Sequence, residues 1–415
     1  MFFYNQAIKI YGLLIFAFSK FNSKANLFLI GRKNWRKRYA EQFTSIKNPI
    51  WVHCSSLGEF EQGRPLIEWI KEKYPSQSII VTFFSPSGFE IQKHYKNADA
   101  VFYLPLDTQQ NAIDFIELLQ PTLVVFVKYE FWLNYLFELQ KRKIPTLLIS
   151  SKFRANQIFF RWYGKIFQKG LATFNQIFVQ DNASKIMLKK IGIENTIKAY
   201  DTRFDRVFHN TLQIKLPDCI TQFCASKKII VVGSSWAADE EVLCHWMKHN
   251  LSTDWKIIWV PHEISAIKIK QLQSKISAQS LLYSEINQSE KLNSAAQHLI
   301  IDTIGLLSKI YSIATIAYIG GGFGSGIHNI LEPAVFGMPI IFGPKYQKFN
   351  EAIELIKEGA AFSFKNENEL EQVFKKLLSD ENEILQKSNI SKQYVQLHLG
   401  GTKAITDYLI ANSLI

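Results

Sequence analysis

The sequence predicts an α/β protein of two Rossmann-like domains behind a basic, apolar N-terminal segment. Three observations carry this. Short apolar runs alternate with helical stretches in two series of similar size. A polar stretch separates the series. Nine Lys and Arg residues against one acid, Glu41, fall within the first 50 positions, which gives +8 of the chain's net +12. At 415 residues with 47% hydrophobic and 20% charged residues, the chain has the length and composition to bury a large core. Collagen, coiled-coil, disulfide-scaffold and multispanning membrane classes are excluded. Cys54, Cys219, Cys224 and Cys244 have no CxxC or Cys/His metal spacing and read as reduced, buried thiols; no metal site is expected.

Residues 1–40 come first. MFFYNQAIKIYGLLIFAF and ANLFLIGRKNWRKRY pair apolar runs with positive charge. Asn5, Gln6 and Lys9 interrupt the first run, so neither offers the roughly 18 clean apolar residues of a transmembrane helix. A basic start and a small-residue cleavage site are also missing, which argues against a cleaved signal peptide. Trp35 within GRKNWRKRY suits a helix lying on anionic lipid, each base adding about 1 kcal/mol near the surface. The alternative is a helix packed on the body with solvated lysines.

The first domain is expected over 41–210. IWVHCS, SIIVTFF, AVFYLPL, TLVVFVK, TLLISS and QIFVQ read as strands, each followed by a helical stretch. The break is expected near 207–227, where FHNTLQIKLPDCITQFCASKK turns polar and carries Pro217. KKIIVVGSS, WKIIWVP, LLYS, HLIID, TIAYIGGG and PIIFG are the strands of the second domain, 225–395, and a C-terminal helix within 396–415 is expected to pack back on the first. No internal repeat is visible. Parallel sheets of this kind bind ligands at the carboxyl ends of their strands, which makes a central cleft between the domains the default site.

Chemistry-bearing residues gather at those strand ends. Ser56-x-x-Glu59 fits a capping box, but Pro65 argues against a long helix from Ser56. Glu59 is therefore expected on a glycine-containing loop or a short turn ahead of a helix near Arg64, free to act as general base on a hydroxyl. Glu130, in VFVKYEFW, follows another strand, with an ion pair to Lys128 or a neighbour as its plainer reading. His53 and Cys54 alternate along a strand and point to opposite faces, so they form no dyad. In the second domain, Gly320, Gly321, Gly322, Gly324 and Gly326 would let the backbone approach a phosphate at a helix spanning about Ile327 to Phe336. A tight turn is the alternative. Glu332 would accept ribose hydroxyls. Gly233, Ser234 and Ser235 form another strand-to-helix loop, and Pro261-His262-Glu263 a third polar strand end.

Taken together, WVHCSSLGE, VKYEFW, DTRFD, VVGSS, WVPHE, DTIGLLSKIY and GGGFGSGIHNILEP resemble the Kdo transferases, membrane-associated GT-B glycosyltransferases of lipopolysaccharide assembly. The resemblance implies a GT-B fold and inverting transfer of 3-deoxy-D-manno-octulosonic acid (Kdo) from CMP-Kdo to a lipid A precursor, lipid IVA. It makes Glu59 the base, and Glu130 and Arg203 transition-state stabilisers. CMP contacts fall on Pro261 and His262, on Ile304, Gly305 and Leu306, and on Asn329, Ile330, Leu331 and Glu332, with Gly233, Ser234, Ser235, Gly321, Gly322 and His328 as further candidates. CMP-Kdo is a substrate, and no cofactor is implied. The place of action is the cytoplasmic face of the inner membrane, on anionic lipid. Three positions depart from the family: His262, where many members have Arg; Arg203, where others have Lys; and Tyr200, where Gly is common. The alternative is another GT-B transferase using a UDP-sugar and a lipid-linked acceptor. Nucleic-acid binding is set aside, because Lys and Arg are sparse around the strand ends and no recognised module appears.

Overall fold

The computed structural model describes residues 1–415 apart from 213, 277–279 and 289–295. The chain divides into two compact units, Met1–Asp205 with Leu399–Ile415 and Arg206–His398. The division thus falls between Asp205 and Arg206, upstream of the polar stretch 207–227 where the sequence pattern breaks.

In the first unit, three helices precede the sheet: α1 (Phe2–Phe18), α2 (Ser23–Arg32) and α3 (Trp35–Phe43). The strands are β1 (Ile50–Cys54), β2 (Ile79–Phe83), β3 (Ala100–Tyr103), β4 (Leu123–Val127), β5 (Thr146–Ser151), β6 (Gln176–Val179) and β7 (Thr196–Lys198). They pair in parallel in the order β3-β2-β1-β4-β5-β6-β7. Every residue of β1, β2 and β4 is buried, as expected for strands covered on both faces. The C-terminal helix Gly401–Ala411 places Ile405 and Leu409 in the same core as Val52, Phe60 and Val125.

The N-terminal helices are part of this unit. Trp35, Tyr39 and Phe43 are buried against Phe102 and Phe115, so Trp35 is a core residue and not a lipid-facing one. Arg32, expected to face lipid, instead bonds the carbonyls of Leu104 (2.7 Å), Phe84 (2.7 Å) and Phe28 (3.1 Å). Its guanidinium lies 3.5 Å from the Phe28 ring centroid, and burial lowers its pKa to about 10. Arg36 pairs with Asp114, and Arg38 bonds the Gly31 carbonyl. The basic cluster therefore spends part of its charge inside the unit.

In the second unit the strands are β8 (Lys228–Ser235), β9 (Trp255–Pro261), β10 (Ser280–Leu282), β11 (His298–Ile300), β12 (Ile316–Ile319), β13 (Ile340–Phe342) and β14 (Ala361–Ser363). Their order is β10-β11-β9-β8-β12-β13-β14, again parallel among the described residues. Its core packs Trp246, Trp259, Tyr318 and Phe374 between sheet and helices.

Candidate active site

In the first unit the site is built where β1 and β4 end. Ser56 caps α4 (Leu57–Lys73), and both halves of the capping box are present. Glu59 therefore lies in the first turn of a seventeen-residue helix, not on a turn ahead of one. Pro65 sits inside that helix. Losing one backbone bond there costs on the order of 3 kcal/mol. Phe60, Leu66, Ile67 and Ile70 on the same helix are fully buried, each contributing roughly 1.5–3 kcal/mol, and this outweighs the proline. Gly63 lets the helix lie close on the sheet, since a Cβ there would stand 3.1 Å from Val127 and 3.3 Å from Cys54.

Glu59 Oε2 accepts the N–H groups of Ser55 (2.6 Å) and Ser56 (3.2 Å). Oε1 accepts from no group among the described residues. Burial and then the charge of Glu130 push the Glu59 carboxyl up to about 8, against the pull of the two N–H groups and Lys128. Raising a carboxyl strengthens it as a base in its ionised form, the form that can take a proton from a sugar hydroxyl.

Glu130 is buried after β4, and the neighbour it pairs with is His53. His53 Nε2 lies 3.0 Å from Glu130 Oε2, and the Trp132 indole N–H lies 2.5 Å from the same oxygen. On its other side, His53 Nδ1 meets Thr82 Oγ1 at 2.8 Å, which also takes the Trp51 indole N–H at 2.7 Å. Cys54 points away from this network, toward α4. Sequence reasoning missed His53 as a site residue. The signal was the adjacency of the two strands, whose register sets His53 beside Phe126, four residues before Glu130. It also missed Lys128, which takes φ +69°, a strained backbone for a lysine at a strand end.

Arg203 joins this unit through Asp201. Its Nε and Nη2 bond the Asp201 carboxylate at 2.8–3.1 Å. Asp201 is buried. Although burial alone would raise it, the Arg203 charge and the hydrogen bonds hold it below the ordinary carboxylate range. Gln62 Nε2 also bonds Asp201 at 2.6 Å, which ties Arg203 to the helix that carries Glu59.

The second unit holds two groups of candidates. In one, Trp236 stacks on His262 with centroids 4.4 Å apart, and His262 stacks on His328 at 4.5 Å. The Trp236 indole N–H donates to His328 Nε2 at 3.0 Å. Burial and the neighbouring His262 lower the His328 pKa. Ser235 joins this group, its carbonyl accepting the His262 N–H at 2.9 Å, while Pro261 pairs with Ser235 between β8 and β9. Ser234 precedes it with φ +52°. Trp236 was not among the expected residues, and only its place directly after VVGSS pointed to it.

In the other group, Glu332 bonds Asn329 at 3.1 Å. Burial raises its pKa, and Asn329 and the charge of Arg206 oppose this. Glu332 shares a small cavity with Ser308 and Lys309, which follow the exposed turn Ile304-Gly305 and the half-buried Leu306. The helix here is Leu331–Phe336, shorter than expected: residues 327–330 are not helical, and Asn329 Oδ1 takes the Leu331 N–H. Ile330 and Leu331 are buried core residues.

The glycine loop is held from below. Asp239 accepts the N–H groups of Gly321 and Trp236 and the Tyr318 hydroxyl. Gly321 takes φ +93°. Gly322 packs on Gly343 backbone, 2.6 Å from where its Cβ would lie, and a Cβ on Gly233 would fall 2.0 Å from the Tyr311 hydroxyl. Close packing therefore accounts for Gly233 and Gly322 without a ligand.

Two seven-stranded parallel sheets with sites at their strand ends define a GT-B-like protein. The fold resembles that of UDP-GlcNAc 2-epimerase from Neisseria meningitidis, with TM-score 0.59 and 14% identity, covering 88% of this chain and all of that one. Residues 33–206 match the family model of 3-deoxy-D-manno-octulosonic-acid transferase. The chain is 29% identical to the 3-deoxy-D-manno-octulosonic acid transferase of Aquifex aeolicus over 83% of its length and 90% of the relative's. It is 24% identical to that of Haemophilus influenzae over 98% and 97%. The chain is thus similar to the Kdo transferases along most of its length, and it is an enzyme of the glycosyltransferase class.

Proposed function

We propose that this protein moves Kdo from CMP-Kdo to a lipid A precursor, with inversion, during lipopolysaccharide assembly at the cytoplasmic face of the inner membrane. The observation that carries the reading is Glu59, half-buried in the first turn of α4 with Oε2 held by the Ser55 and Ser56 N–H groups, in a domain matched along residues 33–206 by the Kdo transferase model. Glu59 takes the proton from a glucosamine hydroxyl through Oε1, while its Oε2 stays fixed by the Ser55 and Ser56 N–H groups. The hydroxyl oxygen attacks the anomeric carbon of Kdo, the bond to the phosphate breaks, and CMP leaves as a stable anion. Glu130 and Arg203 stabilise the charge that builds on the sugar and its carboxylate. In the second unit, Glu332 and Asn329 hold the ribose, and the exposed His262 lies against the nucleotide.

Anchoring follows from α1. Phe3, Leu13, Phe16 and Phe18 are 60–87% exposed, an apolar face on a helix whose other side packs Tyr4 and Ile8 on the unit. Among the described residues no helix is long and apolar enough to cross a membrane. A helix with an exposed apolar face of this kind lies in the interface, where Lys33 and Lys37, both exposed, meet anionic headgroups.

The test is incubation of the purified protein with a CMP-Kdo-generating system and lipid IVA, followed by mass analysis of the lipid. A mass gain of one or more Kdo units, inhibited by CMP and not by UDP, supports the reading. Transfer from a UDP-sugar instead would support the alternative class of donor.

A further inference from the structure

Trp132 is not required by an account built on a base and a donor site, yet three observations converge on it. The first is its hydrogen bonding. An indole N–H only donates, and it lies 2.5 Å from Glu130 Oε2 and 3.1 Å from His53 Nε2. Thr82 Oγ1 already accepts from Trp51, so its own O–H is free to donate to His53 Nδ1. The tautomer with its proton on His53 Nε2 satisfies both contacts, with Thr82 donating to Nδ1 and Nε2 donating to Glu130. Two N–H groups thus converge on one carboxylate oxygen, an arrangement that fixes the direction of the Glu130 side chain.

The second observation is the seat of the indole. The Phe84 ring lies on Trp132 with centroids 4.4 Å apart. The third is what holds Phe84. Tyr11 of α1 stacks on it at 6.2 Å, Phe28 of α2 meets it edge-on at 5.2 Å, and Arg32 bonds its carbonyl at 2.7 Å. Tyr11 and Phe28 belong to the helices that carry the exposed apolar residues. A continuous path of packed rings and hydrogen bonds therefore runs from α1 and α2 through Phe84 and Trp132 to Glu130.

We propose that Trp132 is a positioning residue for the transfer reaction, holding Glu130 beside Glu59 from a seat that the N-terminal helices build through Phe84. The proposal rests on the reading of Glu59 and Glu130 given above. The groups that face Glu59 are Glu130, Lys128, the Cys54 thiol, the Tyr129 hydroxyl and the N–H groups of Ser55 and Ser56. Of these, Glu130 is the neighbour that Trp132 controls.

The test uses the full chain with Trp132→Phe, which keeps a ring on Phe84 and removes the N–H, and Phe84→Leu, which keeps the N–H and removes its seat. For Trp132→Phe, kcat should fall roughly tenfold, as for a lost hydrogen bond to a charged group. CMP affinity should stay unchanged. The acid limb of the kcat/KM profile should move to lower pH, because a Glu130 that drifts repels the ionised Glu59 less. Phe84→Leu should move the same quantities in the same direction by less. Side-chain ¹⁵N shifts of His53, read without substrate, should change in both variants. Unchanged kcat with an unmoved acid limb overturns the proposal, as does a loss of CMP affinity equal to the loss of turnover. Should the wild type transfer no Kdo, the functional reading falls, and unchanged His53 shifts in Trp132→Phe would separately overturn the positioning role.

Discussion

Glu130 acts on Glu59 through its charge: burial first, and then this neighbouring carboxylate, push the Glu59 carboxyl up to about 8. Glu130 is itself held on one oxygen by His53 and Trp132. The first unit thus places one pinned acid and one proton-hungry acid at the ends of adjacent strands, which is how paired carboxyls are given different roles.

This arrangement has a cost in stability that depends on pH. The Glu59 pKa is raised in the folded state above its ordinary 4.5. The folded chain therefore holds a proton that the unfolded chain releases between those values, and stability is lost as pH rises toward about 8. Glu59→Gln removes the ionisation and keeps the capping box, since Gln serves at that position. The melting temperature of Glu59→Gln should match the wild type near pH 4.5, exceed it increasingly up to about pH 8, and keep a constant lead above that. A constant difference across pH would mean that Glu59 is not raised.

Nucleotide binding should depend on Glu332. Glu332→Ala should weaken CMP binding by about tenfold, the usual scale for a lost hydrogen bond to a charged group, and leave acceptor binding unchanged. Calorimetry with CMP measures it directly, and unchanged affinity would remove Glu332 from the ribose.

Much of this was legible in sequence and some was not. Twelve of the fourteen strands announce themselves as apolar runs. Thr196–Lys198 and Ala361–Ser363 do not: TIK holds one apolar side chain between polar ones and AFS ends on a serine, so neither forms the apolar run that marks the other strands. Glu59 and Glu130 were found from their places after strands. The helix around Glu59 was misjudged because a local rule about proline was weighed without the four buried side chains that override it. Arg32 and Trp35 look like a lipid-facing basic cluster in one dimension, and only tertiary packing shows them to be internal. His53, Trp132 and Trp236 gain their meaning from partners far away in sequence or across a turn, and no local pattern reports that.

Membrane attachment should depend on the apolar face of α1 more than on the basic cluster. Leu13→Ser with Phe16→Ser and Phe18→Ser should abolish binding to anionic vesicles while leaving the fold intact, since these side chains are exposed. Lys33→Gln with Lys37→Gln should weaken binding at low salt, with a loss that shrinks as salt rises. Arg32→Gln should instead lower the melting temperature, because that side chain bonds three backbone carbonyls. Vesicle co-sedimentation and thermal unfolding separate these outcomes. Full vesicle binding by the triple serine variant would contradict the anchor.

The account rests most heavily on Glu59 as the base. The most direct measurement compares wild type and Glu59→Gln in Kdo transfer to detergent-dispersed lipid IVA, with CMP affinity and melting temperature recorded on the same preparations. The variant should bind CMP normally, remain folded, and lose turnover by at least about a hundredfold, the scale of a missing general base. Turnover within a few-fold of wild type by a folded, CMP-binding Glu59→Gln would leave that carboxylate with its capping role alone and contradict the mechanism.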